Sequence, residues 1–256
     1  MSHTRTTAIS QAHADRIEVR GYSVLDLADR LSFGEMVYLL LQGELPTRKQ
    51  GKLIEAMLVI MAEHSINAPS THAARTVASC GSPLQTAVAA GVSAIGEHHG
   101  GAGEACARIL QDAVRNAPHP FDAEAVADRI VEETKRAGKR MPGYGHRIHD
   151  PDPRAVYLIA LARELDLAGP HVALAEAIEA ALGKRTGRGL PLNVDGALAA
   201  LSSDLALDPL MAKGLFILAR TAGLLAHVQE EYAEGKPMQF AGIAPVEYVG
   251  PVRSNQ

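Results

Sequence analysis

The sequence predicts an all-α protein, and three observations carry that expectation. Tryptophan is absent and aromatics make up only 4% of the chain, so core helices would approach one another closely on small side chains. Helix-start chemistry recurs: Ser32-Phe33-Gly34-Glu35 and Thr47 with Gln50 are both capping boxes, a hydroxyl followed three residues on by a side chain that can reach back to the cap amide. No alternating strand pattern is longer than the fragment DRIEVRGY.

Taken in order, the first box opens the apolar run EMVYLLL, which Gly43 stops. The second leads a helix whose apolar face is Leu53, Ile54, Met57, Leu58, Ile60 and Met61, ending near His64. Pro69-Ser70 starts a helix through THAARTVAS that stops at Gly81. Residues 83–95 present Ala87, Ala89, Ala90, Gly91, Ser93 and Ala94, a small-residue surface that predicts a central helix. A helix through EACARILQDAV follows. Asp122 then caps AEAVADRIVEETKRAG, which Gly138 terminates. Residues 141–154, MPGYGHRIHDPDPR, hold three prolines and two glycines and predict a loop. Helices resume at about 155–168 and 171–182, break at 184–195, and restart at Gly196. Asp208-Pro209 sets N-cap and N1 for a long helix to about Tyr232, ahead of an extended, Pro-rich tail.

Composition narrows the function. At 256 residues the chain can bury a core of its own without disulfides or metals. Mean hydropathy of +0.00 fits neither disorder nor repeated membrane spans, and the longest apolar stretches break before 18 residues. A formal charge of −4 supplies no global field for nucleic acid or an anionic membrane, so neither is expected as a partner. Cys80 and Cys106 lack metal-site spacing and read as small buried residues. The first 16 residues have no apolar core of a signal peptide, which makes the cytoplasm the expected location.

Reactive residue types concentrate in three breaks: His98-His99-Gly100-Gly101, Gly143-Tyr144-Gly145-His146-Arg147 and Asn193-Val194-Asp195-Gly196. Two histidines and a carboxylate suffice for acid/base work on a carbonyl. Each signal alone is weak. His98 and His99 read equally as a helix-end pair, and Asp195 as a helix cap.

The order of the breaks adds to this, because here the chain resembles the citrate synthase superfamily. The matching texture runs from VRGYSVLDLADRLSFGEMVYLLLQGELP at 19–46, through His64 with Ser70, His99-Gly-Gly-Ala-x-Glu104, PGYGHR at 142–147 with Asp152-Pro153-Arg154, and LNVDG at 192–196, to Arg220 in LARTAG. Six motifs fall in family order over nearly the whole chain.

The resemblance implies carbon–carbon bond making or breaking beside a thioester. That chemistry needs a proton-transfer group at the methyl carbon, a donor for the enolate oxygen and an acid or base at the second carbonyl. It assigns these to Asp195, His99 and His146. His64, Arg154 and Arg220 match positions that hold substrate carboxylates, for which arginine's planar fork is well suited. Gly143, Tyr144 and Gly145 match the region used for coenzyme A, with Lys139 and Arg140 nearby for phosphates. The resemblance further implies a coenzyme A thioester as substrate with no tightly bound cofactor or metal, and a homodimer built on the 83–95 helix. It implies a larger helical domain, 1–98 with 210–256, and a smaller one, 99–209, flanking the site.

Departures from the pattern refine the reading. The stretch from Pro46 to His64 is shorter than in the full-length synthases, and the chain starts almost at the RGY element, so a reduced form of the fold is expected. Where the family has R-P-R before a Y-x-G tail, this chain has Ile243-Ala244-Pro245 ahead of Glu247-Tyr248-Val249-Gly250. One carboxylate contact of a synthase is then missing. LNVDG followed by GLFILARTAGLLAHVQEE looks most like the citryl-CoA-cleaving module of ATP-citrate lyase. The expected activity is therefore citryl-CoA cleavage to acetyl-CoA and oxaloacetate, with citrate or 2-methylcitrate synthesis and a catalytically inert coenzyme A-binding module as alternatives. A metal centre from His98, His99, His146 and His149 is disfavoured, since no pair among them has the i, i+4 spacing of a helical zinc site.

Overall fold

The computed structural model describes residues 6–145, 150–186, 189–238, 247, 249 and 250. His146, His149, the Ile243-Ala244-Pro245 departure and Tyr248 lie outside the described residues.

Eleven helices occur among the described residues, so the chain is all-α as expected. Both capping boxes form: Ser32 and Glu35 open α2 (Phe33–Gln42), and Thr47 and Gln50 open α3 (Arg48–Met61). Gly43 closes α2 in the left-handed conformation at φ 84°. Ahead of them lies what the sequence reading did not resolve, a three-stranded antiparallel sheet of β1 (Ser10–Ala12), β2 (Ile17–Val19) and β3 (Tyr22–Ser23), followed by α1 (Val24–Arg30). The middle strand lies within the DRIEVRGY fragment, whereas β1 and the sheet pairing gave no pattern of their own.

The chain parts into two compact units, Met1–His64 with Ile95–Gly223, and Ser65–Ala94 with Leu224–Gln256. The reason lies in packing partners. The small-residue hairpin of α4 (Pro69–Ser79) and α5 (Leu84–Ser93) gathers its own cluster of Ala74, Ala78, Ala87, Leu224 and Val228.

In the first unit, α2 packs on α3, and α3 on α8 (Pro153–Glu164). Around α10 (Val194–Asp204) gather α6 (Ala102–Arg115), α8 and α9 (Pro170–Thr186), while α7 (Ala123–Arg136) packs on α9. From Val194 to Ser203 only Asp195 keeps any real exposure, making α10 the central helix. That position was expected of α5. Only Ala87 and Gly91 of α5 are buried, because its small side chains close on α4 along one narrow face. A Cβ at Gly91 would lie 2.9 Å from the Ser70 carbonyl oxygen and 3.0 Å from the Ala74 Cβ.

Helix α11 (Pro209–Glu234) starts where Asp208 accepts from the Leu210 amide at 2.8 Å, as predicted. Its 26 residues are long and apolar enough to cross a bilayer by length and composition alone. Part of its apolar surface is core, Ala212, Leu215, Phe216 and Ala219 in the first unit and Leu224 and Val228 in the second, while Leu210, Leu218 and Leu225 are exposed. Cys106 is buried as expected, whereas Cys80, at the end of α4, is exposed. Gly81, at φ 82°, follows it and is exposed as well.

Candidate active site

Asp195 owes its place to Asn193. The Asn193 Oδ1 accepts from the amides of Asp195 at 3.0 Å and Gly196 at 3.1 Å and so caps α10. The cap that the sequence allowed for Asp195 thus belongs to Asn193, and Asp195 sits in the first turn with its carboxyl free for other work. Burial pushes that carboxyl above its usual range, with the Asp152 charge adding to the shift while Arg154 and Arg220 oppose it.

His99 sits in a tight loop in which the Gly96 amide donates to the His99 carbonyl at 3.0 Å and the His99 amide to the Gly96 carbonyl at 3.1 Å. Gly100 follows at φ +79°, where a Cβ would come within 2.7 Å of the Phe216 ring, so only glycine lets the loop settle on α11. The His99 imidazole meets Phe216 edge to face, centroids 5.9 Å apart at 89°. Burial lowers its pKa, and the positive field of Arg220 and the His64 ring lower it further. It is therefore a neutral imidazole at neutral pH, able to donate one hydrogen bond without carrying charge into the site.

Arg220 is 2% exposed, places its guanidinium carbon 4.9 Å from the Phe216 centroid and donates from Nε to the Met61 carbonyl at 3.3 Å. Arg154, two residues past the wholly buried Asp152, turns back onto that carboxylate, and its Nη1 lies 3.4 Å from His64 Nδ1. Asp152 also accepts from the Val194 amide at 3.0 Å, joining the arginine to the start of α10.

His64, His99, Arg154, Asp195 and Arg220 therefore line a single cavity of about 110 Å³, together with Gly100, Asn193, Val194 and Phe216. All belong to the first unit. The space falls well short of the roughly 300 Å³ at which sites for drug-sized ligands begin, so it suits a small acid and not a nucleotide. Two arginines supply the local positive charge that an acid requires in a protein of negative net charge.

Gly143, Tyr144 and Gly145 are not among the residues lining that cavity. Tyr144 turns inward and donates its hydroxyl to the Ala175 carbonyl at 2.8 Å. The Gly145 amide donates to the Pro191 carbonyl, and the Gly143 carbonyl accepts from Asn193. These groups are engaged within the protein, and Gly143 is itself buried. Lys139, Arg140 and His98 are exposed. Among the described residues no group of three or more His, Cys, Asp or Glu could hold a metal ion.

Phe216 was missed by the sequence reading, because an apolar residue on an apolar helix reads as core. The available signal was its spacing: four residues before Arg220, it shares that residue's helix face. Asp152 and Asn193 were quoted within motifs without a role.

The family model for the citrate synthase C-terminal domain matches residues 1–52 and 48–241. The chain belongs to the citrate synthase family. It is 30% identical over 229 residues to the citrate/2-methylcitrate synthase of Bacillus subtilis, covering 86% of this chain and 57% of that protein. The chain spans little more than half the length of the curated relatives it matches. Among solved structures it is similar to citryl-CoA lyase from Hydrogenobacter thermophilus, 40% identical, TM-score 0.90, covering 99% of this chain and 98% of that one. It is also similar to ATP citrate lyase from Methanothrix soehngenii, solved with citrate and coenzyme A, 25% identical, TM-score 0.83, over 98% of this chain and 42% of that one.

Proposed function

We propose that the protein cleaves citryl-CoA to acetyl-CoA and oxaloacetate. The observation that carries this reading is the convergence of Asp195, neutral His99 and the arginines 154 and 220 on one small-acid cavity. Likeness to a citryl-CoA lyase over nearly the full length of both chains supports it.

In this reading His64, Arg154 and Arg220 hold the carboxylates of the citryl portion. His146 takes the hydroxyl proton, the role the resemblance implies for it. The carbon–carbon electron pair moves onto the thioester side as an enolate, and His99 donates a hydrogen bond to the enolate oxygen. Asp195, in its acid form, delivers a proton to the new methyl carbon. Its raised pKa favours that form at the start of cleavage, and microscopic reversibility makes the same residue the base in condensation. The coenzyme A portion lies outside the 110 Å³ cavity.

A second reading, citrate or 2-methylcitrate synthesis, is favoured by the identity to the Bacillus subtilis enzyme. Following the thioester with citryl-CoA, and separately with acetyl-CoA plus oxaloacetate, separates the two. Rapid condensation at micromolar oxaloacetate overturns the lyase reading. With Ile243 where the family has arginine, condensation should be the weaker reaction, and Ile243→Arg should strengthen it. We also propose a homodimer through the exposed small-residue face of α5. A monomer by light scattering at micromolar concentration would remove it.

A further inference from the structure

The geometry points to Asn193 as a positioning residue for Asp195, a crosspiece that ties the base of α10 to the 143–145 loop; the catalytic part of this inference rests on the role proposed for Asp195. One end of the side chain is the cap already described. The other end is a donor: Nδ2 bonds the Gly145 carbonyl at 2.8 Å. The main chain repeats the tie, with the Asn193 amide donating to the Gly143 carbonyl at 3.0 Å and the Gly145 amide to the Pro191 carbonyl at 2.8 Å. The assignment of the amide is forced, since two N–H donors face one of its atoms and a carbonyl faces the other.

Capping does not explain the residue type. Asn, Asp and Ser serve about equally at an N-cap, but only Asn among them can accept from two amides on one side while donating across a 2.8 Å gap on the other. The loop is packed as closely as the bonds suggest: a Cβ at Gly143 would lie 2.7 Å from the Gly196 Cα and 3.0 Å from Cys106 Sγ. Asp195 lies in the chain between Asn193 and Gly196, the two residues that meet the loop, so its carboxyl direction is set by the pose of α10 against the loop. Gly145 is also the residue directly before His146 in the chain.

The test compares Asn193→Asp and Asn193→Ser with wild type. Both keep a good cap, and both lose the amide N–H that reaches Gly145: aspartate has no donor, and the single serine oxygen cannot sit at the cap and also span to the Gly145 carbonyl. Asp adds a charge near Asp195 and Ser does not, so the serine variant isolates the tie. Citryl-CoA cleavage should lose tenfold or more in kcat in both variants, with KM within about twofold and the melting temperature within a few degrees. Amide exchange at Gly145 and Asn193 should quicken several-fold while the Asp195 amide stays protected. In the aspartate variant alone, the pH–rate profile should also move upward. Wild-type kcat in the serine variant overturns the positioning role, because a residue that only capped the helix would show it. Unchanged exchange at Gly145 overturns the tie itself. Should wild type turn over neither citryl-CoA nor acetyl-CoA with oxaloacetate, the functional reading fails by itself, and the exchange comparison still upholds or overturns the tie.

Discussion

Asp152 receives Arg154 at both of its carboxylate oxygens: the Arg154 backbone amide and Nε meet Oδ1 at 3.0 Å each, and Nη2 meets Oδ2 at 2.9 Å. The carboxylate is wholly buried, and burial alone would raise its pKa. The Arg154 hydrogen bonds and charge, with the Arg154 and Val194 amides, outweigh that and hold it below the ordinary carboxylate value.

Removing this carboxylate should therefore cost more than a surface ion pair. Asp152→Ala leaves a guanidinium and the Val194 amide without their acceptor, and breaking a buried pair this way costs about 3–5 kcal/mol. Chemical denaturation at neutral pH measures it. The pH dependence follows from the sign of the shift. A carboxyl depressed in the folded state contributes stability above its unfolded value, and that contribution fades as pH falls through the lower, folded value. Wild type should lose stability below about pH 4 more steeply than Asp152→Asn, and parallel acid limbs would refute the assignment.

Asp195 gives the opposite sign. Its pKa is raised on folding, so its favourable contribution belongs to the acid form and is lost as pH climbs. Asp195→Asn should melt higher than wild type at neutral pH, with the difference vanishing below the ordinary carboxylate range. Turnover should fall by several orders of magnitude. Retention of more than a tenth of wild-type activity, roughly 1.4 kcal/mol in barrier, rules out the proton-transfer role.

Phe216 contacts two groups of the site, His99 and Arg220. Its ring takes the His99 edge and underlies Arg220, contacts worth about 0.5–1.5 kcal/mol and 0.5–2 kcal/mol beyond burial. Phe216→Leu keeps an apolar side chain but loses both. The expected result is a lower kcat together with a higher KM for the acid, measured by steady-state kinetics. A change in melting temperature alone would make Phe216 an ordinary core residue.

The two thiols should behave as opposites. Burial, with the Asp195 charge, pushes the Cys106 thiol up to about 12, while Cys80 is exposed. A thiol-reactive chromophore should titrate one cysteine per chain in the native protein and two in denaturant. Rapid native reaction of Cys106 would mean that α6 opens readily.

What the sequence disclosed follows the range of the interactions. Ser32 with Glu35 and Thr47 with Gln50 act within four residues, so their boxes were legible and both form. The order of six motifs carried the family, and five of the six predicted catalytic and carboxylate-holding residues line one cavity, His146 lying outside the described residues. The errors concern which of two neighbours does a job, or which face a helix turns inward. Asn193 and Asp195 are both good caps, and only the fold shows which one is at the cap. Small residues licensed close approach for α5 but not burial on every side, and centrality went to α10. Asp152 was legible only in part: its bonds to Arg154 two residues on are local, whereas its bond to the Val194 amide spans 42 residues and shows only in the fold.

The contact between Gly143 and Gly196 has a bearing on redesign. A Cβ at Gly196 would sit 2.3 Å from the Gly143 carbonyl oxygen, and Gly143 itself holds φ +85° against the Gly196 Cα. Neither position can gain a side chain unless the other segment retreats, and a retreat would carry Asp195 with it. A library randomised at 143 or 196 should return glycine alone among active clones. Routes to a different acid substrate would then begin in the cavity lining itself, at Phe216 and His64, where a new side chain changes the room for the ligand without prising the two segments apart.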